Sequence, residues 1–256
     1  GKEMVYAKGD ASNAYTSKET QEDYGVKKFY RHLLLLKPDV IVIYDELEAE
    51  EDVNFSWLIH SMEPILLDSS TSSFTSFFDN VTGIGKLWSS SPVQWTLTDT
   101  FDVPAVNWRK SKDRSGKLKR YDDEQWHLKA FNKSKVSSIR FLAIIQMSNN
   151  KTVGQFINQR GQMEEIDIVV GKWKISANLS GNVSPGLFIT DTTGTCAFTT
   201  YDDKISLGGE TFDGAVPGSA KLLERVNNDV TFIERSDKLP YPVKQSWLHD
   251  QWKKKD

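Results

Sequence analysis

The sequence predicts an all-β protein built as a large antiparallel β-sandwich, with a small appended β-sheet toward the C-terminus. Apolar and polar residues alternate over short stretches, and aromatic residues make up 11% of the chain. About a dozen such stretches are separated by turn residues, at intervals of about 8–12 residues. No stretch keeps the 3.6-residue period of a helix over about three turns.

The densest apolar sequence runs from residue 29 to residue 61 and is interrupted twice by charge. Lys37, Pro38 and Asp39 predict a tight turn, because proline fixes φ and cannot donate to a β-ladder. The stretches on either side, residues 26–36 and 40–44, predict the two strands of a hairpin. Residues 46–52 predict a charged loop, and the alternation over residues 53–59 predicts a third strand.

The remaining strands follow the same reasoning. They are predicted at residues 74–78, 83–88, 93–97, 125–131, 136–147, 152–157, 166–170, 173–177, 187–190 and 197–201. A turn at residues 148–151 predicts another hairpin, and residues 246–255 predict a short helix. The stretch at 180–186, rich in Gly, Ser and Pro, predicts a boundary between a main sandwich (1–180) and a small C-terminal β subdomain (181–256).

Composition excludes several classes of protein. A net charge of −3 predicts no nucleic-acid or membrane partner. Cys196 is the one cysteine, which excludes an internal disulfide and a cysteine-based zinc site. No apolar run approaches the ~18 residues of a spanning helix. The chain opens on Gly1 and soon enters strand-like sequence, so we expect it to be part of a longer protein.

Three segments carry a resemblance to a known family. They are "GDASNAY" (9–15), "VKKFYRHLLLLKPDVIVIYDELEA" (26–49) and "VNFSWLIHS" (53–61). Together they resemble the heparinase II/III-like polysaccharide lyases, in the supersandwich-like region that follows the metal-site region of those enzymes. The resemblance covers about residues 5 to 65; the rest of the chain is similar only in style.

The resemblance implies a particular division of labour. Such lyases join an N-terminal α/α-toroid to antiparallel β-sandwich domains and cleave uronate-containing polysaccharides by β-elimination. The toroid carries the catalytic residues, and a His-Asp-His type of motif holds a metal such as zinc or calcium in several members. This chain has four histidines, all far apart in sequence. We therefore assign it no catalytic residue, no metal ligand and no cofactor; a metal is expected only in the full-length parent, a periplasmic or secreted bacterial protein.

Two candidate substrate contacts lie on the predicted strands. Arg31 stands between Tyr30 and His32, and together they are the chemical types that elimination uses. Adjacent residues of a strand face opposite sides, however, so Tyr30 and His32 share one side and Arg31 takes the other. The alternative for Arg31 is a structural ion pair with an acidic neighbour, and for His32 a place at a sheet edge. His60 follows the strand of Trp57, facing the other way. It either contacts substrate or the toroid, or it caps a strand end and bonds backbone.

The segment from Trp108 to Arg120 is strongly basic and includes Arg109, Lys110 and Arg114. With Trp108 it predicts a loop that attracts an anionic polysaccharide. The alternative is a solvated loop balanced by the acidic residues 122–124. Tryptophans 88, 95, 108, 126 and 173 are candidates for sugar stacking or for the core, and acidic pairs at 122–124 and 202–203 lack calcium-loop spacing.

Two hypotheses follow. In the first, the chain is the non-catalytic C-terminal β-sandwich part of such a lyase, supporting the toroid and contacting anionic polysaccharide through residues 31, 60, 108–110 and 114. In the second, it is a stand-alone carbohydrate-binding or adhesion module. The amino-acid sequence upstream of Gly1 distinguishes them.

Overall fold

The computed structural model describes residues 1–15, 24–100, 114–116, 125–149, 157–162 (backbone), 165–227 and 229–235. Within these ranges the regular structure is almost entirely antiparallel β, apart from a short 3-10 helix at Ser12–Tyr15. The all-β sandwich prediction is confirmed. No helix in the described part of the chain is long and apolar enough to cross a membrane.

A central sheet of seven strands lies in the middle of the molecule. Its strands are β1 (Met4–Asp10), β2 (Val26–Leu36), β3 (Val40–Val53), β5 (Ile65–Asp68), β6 (Ser73–Phe78), β7 (Val81–Ser89) and β10 (Val136–Ser148). Their order is β1-β2-β3-β10-β7-β6-β5. A three-stranded sheet covers part of one face, in the order β4-β9-β8. It consists of β4 (Ser56–Ser61), β8 (Val93–Thr98) and β9 (Trp126–Asn132).

A second seven-stranded sheet packs on the other face of the central sheet. Its strands, in spatial order, are β11 (Ile157–Gln162), β12 (Glu165–Val170), β13 (Trp173–Asn178), β14 (Gly186–Asp191), β15 (Cys196–Thr200), β18 (Ala220–Val226) and β19 (Asp229–Arg235). A two-stranded hairpin completes the described structure: β16 (Lys204–Leu207) and β17 (Glu210–Asp213).

The middle strands of the central sheet are largely buried on both faces. Toward the second sheet it contributes Leu34, Val42 and Leu142 to a core that also holds Ile168 and Phe198. Toward the three-stranded sheet, a separate core contains residues 47, 57, 128 and 141. Burial on both sides explains why residues 40–44 form a continuous apolar run rather than an alternating one.

The hairpin β16–β17 covers part of the outer face of the second sheet. Ile205 and Leu207 pack there against Ala197 of β15 and Leu223 of β18, with Phe212 at the margin. Strands β12, β13 and β14 lie beyond this cover, so in the described part of the chain the second sheet has an enclosed and an open half on its outer side.

The predicted loop at residues 46–52 is wrong, because β3 continues through these residues to Val53. The strand tolerates the charges because they are paired or exposed: Glu46 meets Lys28, and Glu48 is exposed. The turn at residues 37–39 and the full span of β2 are confirmed. The predicted boundary near residue 180 stays a prediction; β13 and β14, which flank it, pair with each other in one sheet.

The predicted turn at 148–151 and strand at 152–157 lie mostly outside the described residues, and the predicted helix at 246–255 lies wholly outside them. Strands β5, β11, β16, β17, β18 and β19 were not predicted. Three of these are only four residues long, which leaves too short a pattern to establish a period.

Candidate functional site

Glu46 stands at the centre of a polar cluster between the two seven-stranded sheets. Its Oε1 accepts a hydrogen bond from the Tyr201 hydroxyl at 2.6 Å and lies 3.0 Å from His32 Nε2. Its Oε2 lies 2.7 Å from Lys28 Nζ. The Tyr6 hydroxyl lies 2.9 Å from His32 Nδ1. We call these five residues the Glu46 network.

The β-strand period places these side chains together. Tyr30 of β2 pairs with Glu46 of β3, so Lys28 and His32 flank Glu46 on the face toward the second sheet. Tyr201 enters from the opposite sheet, directly after β15, with φ of 70°. Few residues other than glycine adopt this left-handed conformation, which ends the strand here.

The network shifts the pKa values of its members. Burial raises the pKa of Glu46, but the hydrogen bonds from His32, Lys28 and Tyr201 together outweigh that effect and lower it to about 2. For Tyr201, burial and the bond to Glu46 both raise the pKa. Glu46 is therefore ionised and Tyr201 neutral at pH 7.

This arrangement suits a structural role better than a catalytic one. His32 and Glu46 are each only 1% exposed. Both ring nitrogens of His32 have partners within the network, one in Tyr6 and one in Glu46. A general base must reach the proton that it removes. A buried imidazole with both nitrogens engaged does not meet that condition. It does hold Glu46 in place, and Glu46 in turn binds Tyr201 of the second sheet.

Arg31 faces away from the Glu46 network and makes the ion pair that its alternative predicted. Its Nε and Nη2 donate to the two carboxylate oxygens of Asp45, each at 2.7 Å. Burial raises the pKa of Asp45, and Arg31 opposes that effect. The strand triplet of Tyr30, Arg31 and His32 is thus divided between two faces. His32 does not lie at a sheet edge, as its alternative had it, but between the sheets.

His60 lies on the three-stranded sheet, where β4 and β9 pair it directly with His127. The two imidazole rings stack with centroids 4.3 Å apart and planes 13° from parallel. Burial, the charge of His60 and the charge of Lys129 lower the pKa of His127. His60 is exposed on its strand, away from Trp57, which is buried.

The basic segment falls largely outside the described residues. Trp108, Arg109 and Lys110 belong to that undescribed part, and so do acidic residues 122–124. Arg114 is exposed in a short turn at residues 114–116. Their proposed contact with an anionic polysaccharide stays a prediction, as does that of Arg31 and His60.

The described tryptophans lie in or against the cores. Trp173 is 1% exposed. Trp88 packs against the core between the large sheets, and Trp95 and Trp126 against the other. The sulfur of Cys196 is equally inaccessible; burial and nearby carboxylates, Glu224 first, raise its thiol pKa to about 12.

Within the described ranges no three residues among His, Cys, Asp and Glu converge in a way that would hold a metal ion. His32 belongs to the Glu46 network, and His60 stacks on His127. The fourth histidine, His249, lies outside the described part. The residues that the structure describes therefore do not fit a metal centre of the predicted family.

A groove of about 370 Å³ opens where the central sheet meets the loop after β13. Its lining is polar, with Lys27, Glu48, Ser138 and Arg140 among the side chains. Arg140 is already committed there, since its guanidinium donates to the carbonyl oxygens of Ser180 at 2.5 Å and Val183 at 2.9 Å.

Sequence reasoning missed Glu46, Lys28, Tyr6 and Tyr201 as a group. One signal was present in the sequence. The tight turn at residues 37–39 makes β2 and β3 antiparallel neighbours, and this places Glu46 of β3 near His32 and Lys28 of β2. Reading residues 46–52 as a loop removed Glu46 from that register. Tyr201 carried no local signal at all.

The fold defines the chain as an all-β sandwich protein of several antiparallel sheets. Comparison with known protein families and with curated protein sequences gives no match. A solved heparinase III gene product with methylated lysines has a TM-score of 0.41 and 11% identity over 74% of this chain and 24% of its own. A crystal structure of heparinase III has a TM-score of 0.40 and 13% identity, over 82% and 24%.

This chain therefore spans about a quarter of the length of those two proteins, 24% in each case. The likeness amounts at most to a distant structural relationship.

Proposed function

We propose that this chain is the non-catalytic β-sandwich part of a heparinase II/III-like polysaccharide lyase. The observation that carries the proposal is the burial of the Glu46 network, in which His32 and Glu46 are each 1% exposed. The full-length parent cleaves uronate-containing polysaccharides by β-elimination, in the bacterial periplasm or outside the cell. The sequence resemblance over residues 9–15, 26–49 and 53–61 supports this proposal.

The chemistry of β-elimination is consistent with a non-catalytic role for this chain. The reaction needs a base within reach of the C5 proton and a group that neutralises the uronate carboxylate as the carbanion forms. On the strands that resemble the family, the candidates for these tasks are engaged with each other. His32 lies within hydrogen-bonding distance of Glu46 and Tyr6, and Arg31 forms an ion pair with Asp45.

The proposed partners are the N-terminal α/α-toroid of the same parent and an anionic polysaccharide. The toroid supplies the base and the second wall of the substrate cleft. The sandwich holds that domain in place and contacts the polymer through the basic segment around Trp108, through His60 and through Arg31. A zinc or calcium ion, where the parent has one, is held by residues outside those described here.

Turnover of heparan sulfate and hyaluronan by the 256-residue chain and by the full-length parent tests the proposal, with the unsaturated uronate product followed by its ultraviolet absorbance. We expect product from the parent and none from the chain alone. Turnover by the chain alone would overturn the non-catalytic role. A parent that binds these polymers without cleaving them would overturn the lyase and favour a carbohydrate-binding module.

A further inference from the structure

The open half of the second sheet presents an aromatic ring on a polar floor. Phe188 of β14 points away from the core, since Leu187 and Ile189 on either side are buried, and it is 38% exposed. Next to it across the ladder lie Ser176 of β13 and then Asp167 of β12. Paired residues of adjacent strands share a face, so these three side chains form one row.

A second row runs beside the first. Lys174 of β13 pairs with Thr190 of β14, and Lys174 is exposed while Thr190 is half-buried. The two rows enclose a depression of about 220 Å³ lined by Phe188, Asp167, Ser176, Lys174 and Thr190, together with the strands between them. Since liquid water occupies about 30 Å³ per molecule, the depression has room for about seven waters, or one sugar ring.

The hairpin β16–β17 covers a different part of the same outer face, and the depression is lined by β12, β13 and β14. The hairpin covers Ala197 of β15 through Ile205 and Leu207. Phe188 pairs with Thr199 of the same strand β15, and Thr199 is fully buried. Among the described residues, Phe188 on β14 is the exposed aromatic of this outer face.

We propose that this face is a binding site for one uronate ring of an acidic oligosaccharide. A pyranose ring has an apolar C–H face that packs on an aromatic ring and a rim of hydroxyls that need donors and acceptors. Phe188 supplies the first. Asp167, Ser176 and Thr190 supply the second, and the Lys174 ammonium lies beside them for the sugar carboxylate.

The floor is already partly ordered for such a ligand. Ser176 Oγ donates to Asp167 Oδ1 at 2.5 Å, which orients the carboxylate across the row. One aromatic ring and Val169 among four polar side chains form a patch too small and too polar for the apolar centre of a protein–protein interface. The same mixture suits a ligand that is apolar on one face and hydroxylated at its edge.

Amide NMR spectra of the isotope-labelled chain test the proposal, with a hyaluronan tetrasaccharide as the acidic probe and chitotetraose as the neutral one. We expect hyaluronan to shift the amides of residues 174–176 and 188–190 with a Kd of about 1 mM, in keeping with a single-ring contact. Chitotetraose, which has no carboxylate, should bind more weakly.

Three variants locate the contact. Phe188→Ala should weaken hyaluronan binding about tenfold, and Lys174→Gln should weaken it about threefold to tenfold. Phe77→Ala is the matched control, because Phe77 is a similarly exposed phenylalanine (41%) on β6 of the central sheet. It should leave binding unchanged. All three side chains are exposed, and amide dispersion verifies that each variant is folded.

Absence of shifts at these amides at about ten times the expected Kd would overturn the site. So would an undiminished affinity in Phe188→Ala. An undiminished affinity in Lys174→Gln, or equal affinity for the two probes, would overturn the assignment to a uronate. The proposal does not rest on the lyase function, since binding is measured on a chain that is expected to be inactive.

Discussion

Tyr201 and Glu46 lie 155 residues apart in sequence and meet across the interface of the two seven-stranded sheets, where the Tyr201 hydroxyl donates to Glu46 Oε1 at 2.6 Å. The same oxygen lies 3.0 Å from His32, and Lys28 pairs with the other oxygen. One buried carboxylate therefore joins β2, β3 and the end of β15. A cluster of Tyr, His and Lys residues here serves the packing of sheets.

Substitution of Glu46 tests the strength of this junction. Glu46→Gln should lower the free energy of unfolding by about 3 kcal/mol, because it removes the buried charge that Lys28, His32 and Tyr201 share. Urea denaturation measures the change. Glu48→Gln is the matched control: Glu48 lies 3.5 Å from the same Lys28 but is 48% exposed, so its loss should cost less than about 0.5 kcal/mol. Equal losses in the two variants would contradict the central place of Glu46.

The low pKa of Glu46 predicts an acid-dependent stability. Its pKa in the folded protein is about 2, below the ordinary 4.5, so folding favours the ionised form. The resulting stabilisation is complete above about pH 5 and is lost as pH falls toward 2. By pH 3 the loss from this group should be about 2 kcal/mol. The difference in unfolding free energy between the unmodified chain and Glu46→Gln should shrink by that amount between pH 7 and pH 3; a constant difference would contradict the pKa assignment.

Asn132 should be the key polar residue of the three-stranded sheet. It is fully buried, and its side-chain amide donates to the carbonyls of Val53 at 3.0 Å and Ser134 at 2.7 Å. Its Oδ1 accepts from the Phe55 amide at 2.5 Å. Asn132→Ala leaves these backbone groups unsatisfied and should lower the free energy of unfolding by about 3 kcal/mol.

Exposed Asn182 provides the control for that substitution. Asn182→Ala should change the free energy of unfolding by less than about 0.5 kcal/mol in the same urea series. An Asn132→Ala variant as stable as Asn182→Ala would show that the hydrogen bonds of the Asn132 side chain contribute nothing to stability.

The thiol of Cys196 should be unreactive in the folded protein. It is fully buried, and its pKa is raised to about 12, so the thiolate is almost absent at neutral pH. Titration with a thiol-specific chromogenic reagent should release no chromophore from the native chain and one equivalent in denaturant. Rapid reaction of the native chain would mean that β15 opens readily or lies elsewhere.

Local pattern is enough to predict where most strands lie. Residues 26–36 show it best: the apolar run and the Lys-Pro-Asp turn that ends it are local in the sequence, and β2 has the predicted bounds. The β-branched run at residues 40–44 likewise predicts a strand that is covered on both faces, as the structure shows.

The candidate site was not predictable by the same means. Glu46 is charged, and a charged residue is allowed inside a buried strand only when its partners are present. One of them, Tyr201, comes from a distant part of the chain. The stacking of His60 on His127 depends in the same way on the pairing of β4 with β9, which are separated by four other strands in sequence.

Turnover by the full-length parent carrying Tyr201→Phe tests the central claim most directly. If the Glu46 network holds the sheets together and takes no part in chemistry, this variant should keep the kcat of the unmodified parent while folded. Its free energy of unfolding, measured in urea, should be lower by about 1 kcal/mol. A kcat reduced by orders of magnitude with unchanged unfolding would contradict the account and place catalysis in the network itself.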